Sequence, residues 1–165
     1  MAFSRSYSIQ TEGSPDRRGD IGAHLATQAS ASLSGVSETT DVASDLASTC
    51  TALAVDWADN ATDLDLPYVA LGHLAGRLIA VDRAHPGTDF TPFFQEVERQ
   101  IASGDSTIRN LMIVGLLEGI QTAAPNDGER WEPLLGPSTR EAWSALNDAW
   151  LGRMAPAEFN KLVDG

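Results

Sequence analysis

The sequence predicts an all-α protein: a compact bundle of five to six helices around a central apolar helix, with a partly ordered Ser/Ala/Gly-rich arm over residues 1–35 and a single helical domain over 36–165. Three observations carry that expectation. From Ser37 onward, apolar residues recur at helical spacing in one segment after another. Proline, glycine and capping residues punctuate the boundaries between segments. One segment, Ile108 to about Ala123, is apolar nearly all round, the pattern of a helix enclosed by others.

Within the arm, Phe3, Tyr7 and Ile9 alternate with serines and Gln10, which suits a short strand, and Ala23 to Leu33 suits a helix weakened by its serines. The first strong helix carries Val42, Leu46, Cys50, Leu53 and Trp57 on one face and Asp41, Asp45, Asp56 and Asp59 on the other. Cys50 reads there as a small buried hydrophobe rather than a nucleophile. A second helix runs from Pro67 to His85 with Leu71, Leu74, Leu78 and Val81 as its stripe, and Gly72, Gly76 and Ala80 beside it leave room for a close neighbour. Thr91 is the expected cap of a third helix, with Pro92 in its first turn and Phe93, Phe94, Val97 and Ile101 facing inward. Gly104 ends it, and Asp105 or Ser106 caps the apolar fourth helix. After a loop over Pro125–Arg130, Ser138 and Glu141 match a capping box, and Trp143, Leu146 and Trp150 share the face of the helix that follows. A short helix over Pro156–Val163 closes the chain.

Charge narrows the function. The 165 residues hold 11 Lys and Arg against 23 Asp and Glu, a net charge of −12. Between Gly19 and Gly76 eight acids occur without one Lys or Arg. Such a surface repels nucleic-acid phosphates and anionic membranes, and it suits a basic protein partner; the alternative is solubility alone. One cysteine excludes an internal disulfide and a thiolate metal cluster. No apolar run approaches the roughly 20 residues that span a bilayer, and the first 20 residues lack the apolar core of a secretory signal, so a cytoplasmic location is expected.

Catalytic signatures are missing: there is no Walker loop, G-x-G-x-x-G, G-x-S-x-G, S-x-x-K or HExxH, and no cofactor or metal is expected. His73 and His85, with nearby carboxylates, form the residual case for a metal-dependent enzyme. Glu118 interrupts the apolar fourth helix, so it reads as a buried polar group that pairs with Arg77 or Arg109, reaches solvent at an edge, or stays protonated. Trp57, Trp143 and Trp150 read as core. Trp131, between Arg130 and Glu132 in a loop, is a candidate interface anchor.

Leu66–Ala75, Phe93–Glu98, Gly104-Asp105, Val114–Ile120 and Leu134–Pro137 together resemble a small helical bacterial domain of unknown function, over about residues 66–150. Domains of this look are similar to immunity proteins that accompany secreted bacterial toxins. The resemblance leaves the acidic first helix outside, and membership of such a family does not by itself make the chain an inhibitor. The functional expectation is therefore a non-catalytic, acidic binding protein of immunity type, with Asp41, Asp45, Asp56, Asp59 and Trp131 as partner contacts. The alternative is a structural or assembly subunit of a phage or multi-protein complex, with the N-terminal arm ordering on a neighbour.

Overall fold

The computed structural model describes residues 36–61 and 66–164, with side chains from Val42 onward. The strand expected over Phe3–Gln10 and the helix over Ala23–Leu33 lie outside the described residues. Among these, every regular element is helical.

The long acidic helix expected from Ser37 is two helices, α1 (Val36–Ser48) and α2 (Thr51–Asn60). Two hydroxyls explain the break: Ser48 Oγ donates to the Asp45 carbonyl and Thr49 Oγ1 to the Leu46 carbonyl, both at 2.6 Å. Hydroxyl groups that take up helix carbonyls in this way compete with continuation of the helix. Cys50 then adopts an extended conformation (φ −127°, ψ 116°), and its carbonyl accepts from Ala54 N–H to start α2. The kink preserves the apolar pattern, because Val42, Leu46, Cys50, Leu53 and Trp57 are all buried. Trp57 Nε1 donates to Ser44 Oγ at 3.2 Å and ties the two helices together.

Helix α3 (Pro67–Ala84) has proline in its first turn and buries Leu71, Leu74, Leu78, Ile79 and Val81. Helix α4 (Thr91–Ala102) buries Phe93, Phe94, Val97 and Ile101. Its cap is not Thr91. The Asp89 carboxylate accepts from Thr91 N–H at 2.8 Å, because Thr91 is already helical and cannot cap itself.

Gly104, at φ +83°, makes the left-handed turn after α4, and Asp105 Oδ1 accepts from Thr107 and Ile108 N–H. From there α5 (Ser106–Asn110), a π-helical segment (Leu111–Leu117) and α6 (Glu118–Ala123) run on as one rod, with helical backbone angles at each junction. Glu118 N–H donates to Ile113 C=O, five residues back, as a π-helix requires. Leu116 and Leu117 both lack exposed surface, although side chains one residue apart on a helix diverge by about 100°. The rod contacts α3, α4 and helix α8 (Pro137–Trp150). Glycine sets its distance from α3: a Cβ on Gly119 would lie 3.0 Å from Ala75 Cβ and 3.4 Å from Gly72 Cα. Gly72 thus serves the expected close approach, whereas Gly76 has nothing within 4 Å of its Cβ position.

Helix α7 (Gly128–Trp131) begins within the loop expected over Pro125–Arg130, a 3-10 turn (Glu132–Leu134) follows it, and α9 (Pro156–Asp164) follows α8. The elements outnumber the five to six expected, because single apolar stripes run across a kink and across a change of helix type. The Ser138–Glu141 capping box does not form. Helix α8 starts two residues early, with Gly136 and not Ser138 at the N-cap, and Ser138 and Thr139 N–H donate instead to the Glu98 carboxylate of α4, at 3.0 and 2.8 Å. Among the described residues, no helix is long and apolar enough to cross a membrane.

Candidate functional site

The acidic face is smaller than the sequence suggests. Asp45 and Asp59 are exposed on α1 and α2. Asp41 belongs to α1, but its side chain lies outside the described residues. Asp56 is not free for a partner: Arg77 of α3 donates to it from Nε and Nη2, with Nε 2.5 Å from Oδ2. The i,i+21 pairing across two helices was invisible to a reading that assigned Asp56 to an open face. The Asp56 carboxylate holds the Arg77 guanidinium above its ordinary pKa.

That pairing also removes Arg77 as a partner for Glu118. Glu118 is half-buried rather than buried, and it makes no hydrogen bond or ion pair among the described residues. Partial burial pushes its carboxyl above the usual carboxylate range. The rod's polar interruption is therefore an edge residue, the solvent-reaching case of the three expected.

Trp131 is not a surface anchor. It is 1% exposed and packs against Phe90 and Phe94, with ring centroids 5.9 and 6.0 Å away. Short helix α7 turns it inward and leaves Arg130 across its face, 5.1 Å from the ring centroid. Arg130 in turn donates to Asp82 Oδ1 at 2.8 and 3.1 Å, locking α7 onto α3 and taking the carboxylate that His85 was expected to neighbour. Trp150 is the converse correction. It was assigned to the core, yet it is 63% exposed, because α8 outruns the core by its last turn while Trp143 and Leu146 stay buried.

His73 and His85 lie apart on α3. His73 Nε2 lies 3.1 Å from the Asn60 carbonyl and its ring is 5.7 Å from Trp57, so it holds the end of α2. His85 caps the other end of α3, about 18 Å away at 1.5 Å per residue. No group of three or more candidate ligands is found among the described residues.

What the fold does create is a cleft of about 450 Å³ between the end of α6, the Pro125–Gly128 turn and the C-terminal half of α8. Gln121 and Trp143 line its inner wall, and Pro125, Glu132, Trp150 and Leu151 its outer parts. Gln121 is 9% exposed, and its Nε2 donates to the Trp143 carbonyl at 3.0 Å. A carbonyl only accepts, so that bond fixes the amide's orientation and leaves Oε1 as the free atom. Gln121 Oε1 is buried with no partner among the described residues. The sequence signal for this site was the single amide following Ile120 on an otherwise apolar helix. That signal is weak, because an uncharged amide stands out less on an apolar helix than the formal charge of Glu118.

Glu98 was also missed. Burial opposes its ionisation, but Thr139 and Ser138 outweigh that and hold its carboxyl below the usual range. It receives Thr139 Oγ1–H at 2.7 Å as well as the two amides. The carboxyl carbon sits 2.5 Å from where a Cβ on Gly136 would be, so this ion occupies the space that glycine leaves.

Over residues 43–151 the chain matches the family described as Domain of unknown function (DUF7674). No curated protein and no solved structure matches it. The matched region starts inside α1, so it takes in the end of α1 and all of α2, which the resemblance read from the sequence leaves outside. Covering well over half of the 165 residues, this match places the chain in that family of domains of unknown function.

Proposed function

We propose that the chain is a non-catalytic acidic binding protein, engaging a basic protein partner through α1 and α2. Its most concrete form is an immunity-type inhibitor, acting in the bacterial cytoplasm, that covers the basic substrate cleft of a toxin. One observation supports it above the others: Asp45 and Asp59 are exposed on helices that contain no Lys or Arg, and the one cation paired to these helices among the described residues, Arg77, is spent on Asp56. Unpaired carboxylates of this kind speed encounter with a basic surface and disfavour anionic partners.

The test is a pull-down with the full chain at about 50 and about 500 mM salt, beside the double variant D45K/D59K. The reading expects a basic protein that is retained at low salt and lost both at high salt and with the variant. A partner held equally by both proteins overturns docking through this face. A second reading, an assembly subunit, is favoured by Leu66, Tyr68 and Val69, which are 61%, 48% and 49% exposed at the start of α3. Grouped apolar side chains of this kind mark contact surfaces. Light scattering separates the two readings, since assembly requires a defined oligomer and inhibition of a foreign partner does not.

A further inference from the structure

We propose that the cleft beside Gln121 binds a small apolar amine, a cationic N–H head carried on a hydrocarbon or aromatic body. This goes beyond docking through α1 and α2 and is independent of it.

The argument begins with Gln121 Oε1. A buried carbonyl oxygen without a donor is costly, so such atoms in native proteins have a partner that fits the site. Here the partner must be a donor, because the Trp143 carbonyl already holds the amide's nitrogen side. Gln121 lines the cleft, and its Oε1 is the polar atom there that has no partner among the described residues.

Charge then selects among donors. Glu132 is the sole ionisable residue among those lining the cleft. Its Oε1 is 3.3 Å from where a Cβ on Gly128 would stand, which puts the carboxylate over the α7 turn. It makes no salt bridge among the described residues; Arg140 reaches only its backbone carbonyl, at 3.4 Å. An anionic ligand meets repulsion at this rim and a cation meets a free counter-charge.

The walls select the body. Trp150 and Leu151, 63% and 65% exposed, line the cleft together with Pro125 and give it an apolar surface. An open indole face adds cation–π attraction for an ammonium or guanidinium. The volume of about 450 Å³ lies at the lower end of the range for small-molecule sites, roughly 300–1,000 Å³.

The probe is phenethylamine, titrated into the full chain beside neutral 2-phenylethanol, anionic 3-phenylpropionate and an acetylated Gly-Arg-Gly amide. Calorimetry gives the affinities, and the four indole N–H signals in NMR give the location. The amine should bind at least about tenfold more tightly than the alcohol or the acid and should move the Trp150 signal, identified by its loss in W150F. E132Q should bring the amine down to the level of the alcohol, and Q121L should weaken amine and alcohol alike. Glu132 and Trp150 are both exposed, so their variants keep the test valid should Q121L fail to fold. D45K/D59K should bind the amine as the parent does, which separates this result from the fate of the acidic-face reading. Equal binding of all three phenyl probes, shifts confined to other indoles, or no saturable binding overturns the proposal. A preference for the tripeptide over phenethylamine also overturns it, in favour of a peptide-docking groove.

Discussion

Glu118 and Glu98 show how one residue type takes opposite roles within 20 positions. Glu98 gains hydrogen bonds from Thr139 and Ser138 and ionises more readily when folded, whereas Glu118 gains only partial desolvation and ionises less readily. The sign of the pH dependence follows for Glu118. The unfolded carboxyl titrates near about 4.3, and folding raises that value, so above it the folded chain holds a charge in a poorer environment than the unfolded chain does. The cost is present at neutral pH and disappears as pH falls through the raised folded pKa. E118Q should therefore melt higher than the parent at pH 7, with the gap closing as the solution is acidified through that value. Thermal melts at pH 7 and pH 4 check it. Loss of stability in E118Q at pH 7 would mean that the carboxylate has a stabilising partner.

At the scale of elements, the junction of α4 and α8 tests how two short motifs cooperate. Phe93–Glu98 and Leu134–Pro137 looked like separate helix and loop signals, but Glu98 reaches the α8 N-terminus and fills the space over Gly136. Gly136 has φ −71°, which any residue adopts, so alanine there is opposed by Glu98 and not by its own backbone. The carboxylate can swing aside, but only by leaving Ser138 and Thr139. G136A and E98A should each cost about 1.5–3 kcal/mol, the range for hydrogen bonds to a charged group. The double variant should cost little more than either single one, leaving a coupling of about 1–3 kcal/mol. Urea denaturation of the four proteins measures it, and additive losses would refute the coupling. Glu98's contribution should be full above about pH 4.3 and fade as pH falls through its lowered folded value. The helices themselves were legible because apolar residues such as Leu71, Leu74, Leu78 and Val81 in α3 repeat at helical spacing. The cap was not, because Ser138 and Glu141 fit a local rule that a partner 40 residues away outcompetes. The π-helical segment was hidden for a similar reason: a segment apolar all round gives no periodicity from which a change of pitch can be read.

Across the whole molecule, inside and outside separate what holds the fold from what is left for a partner. The apolar side of α1 and α2 was readable through the break at Cys50, since Leu46, Leu53 and Trp57 bury on both sides of it. Their acidic side was only half readable, because sequence spacing finds which acids share a face but not that Arg77 crosses from α3 to take Asp56. The cleft beside Gln121 was beyond spacing altogether, being built from three segments whose proximity only the fold sets. This division makes a prediction with two arms. Leu116 and Leu117 have no exposed surface, so truncating either to alanine should cost about 2–5 kcal/mol. D45N and D59N should each change stability by no more than about 0.5 kcal/mol, as exposed sites without partners do. D56N should fall between, at about 1–2 kcal/mol, since it weakens a half-buried pair while leaving Arg77 in place. Melts of the five variants order them, and binding to the basic partner should follow a different order, with D45N and D59N weakened and L116A unchanged wherever it remains folded. If the exposed aspartates prove as costly to the fold as the leucines, they are structural residues, and the α1–α2 surface is not the docking face.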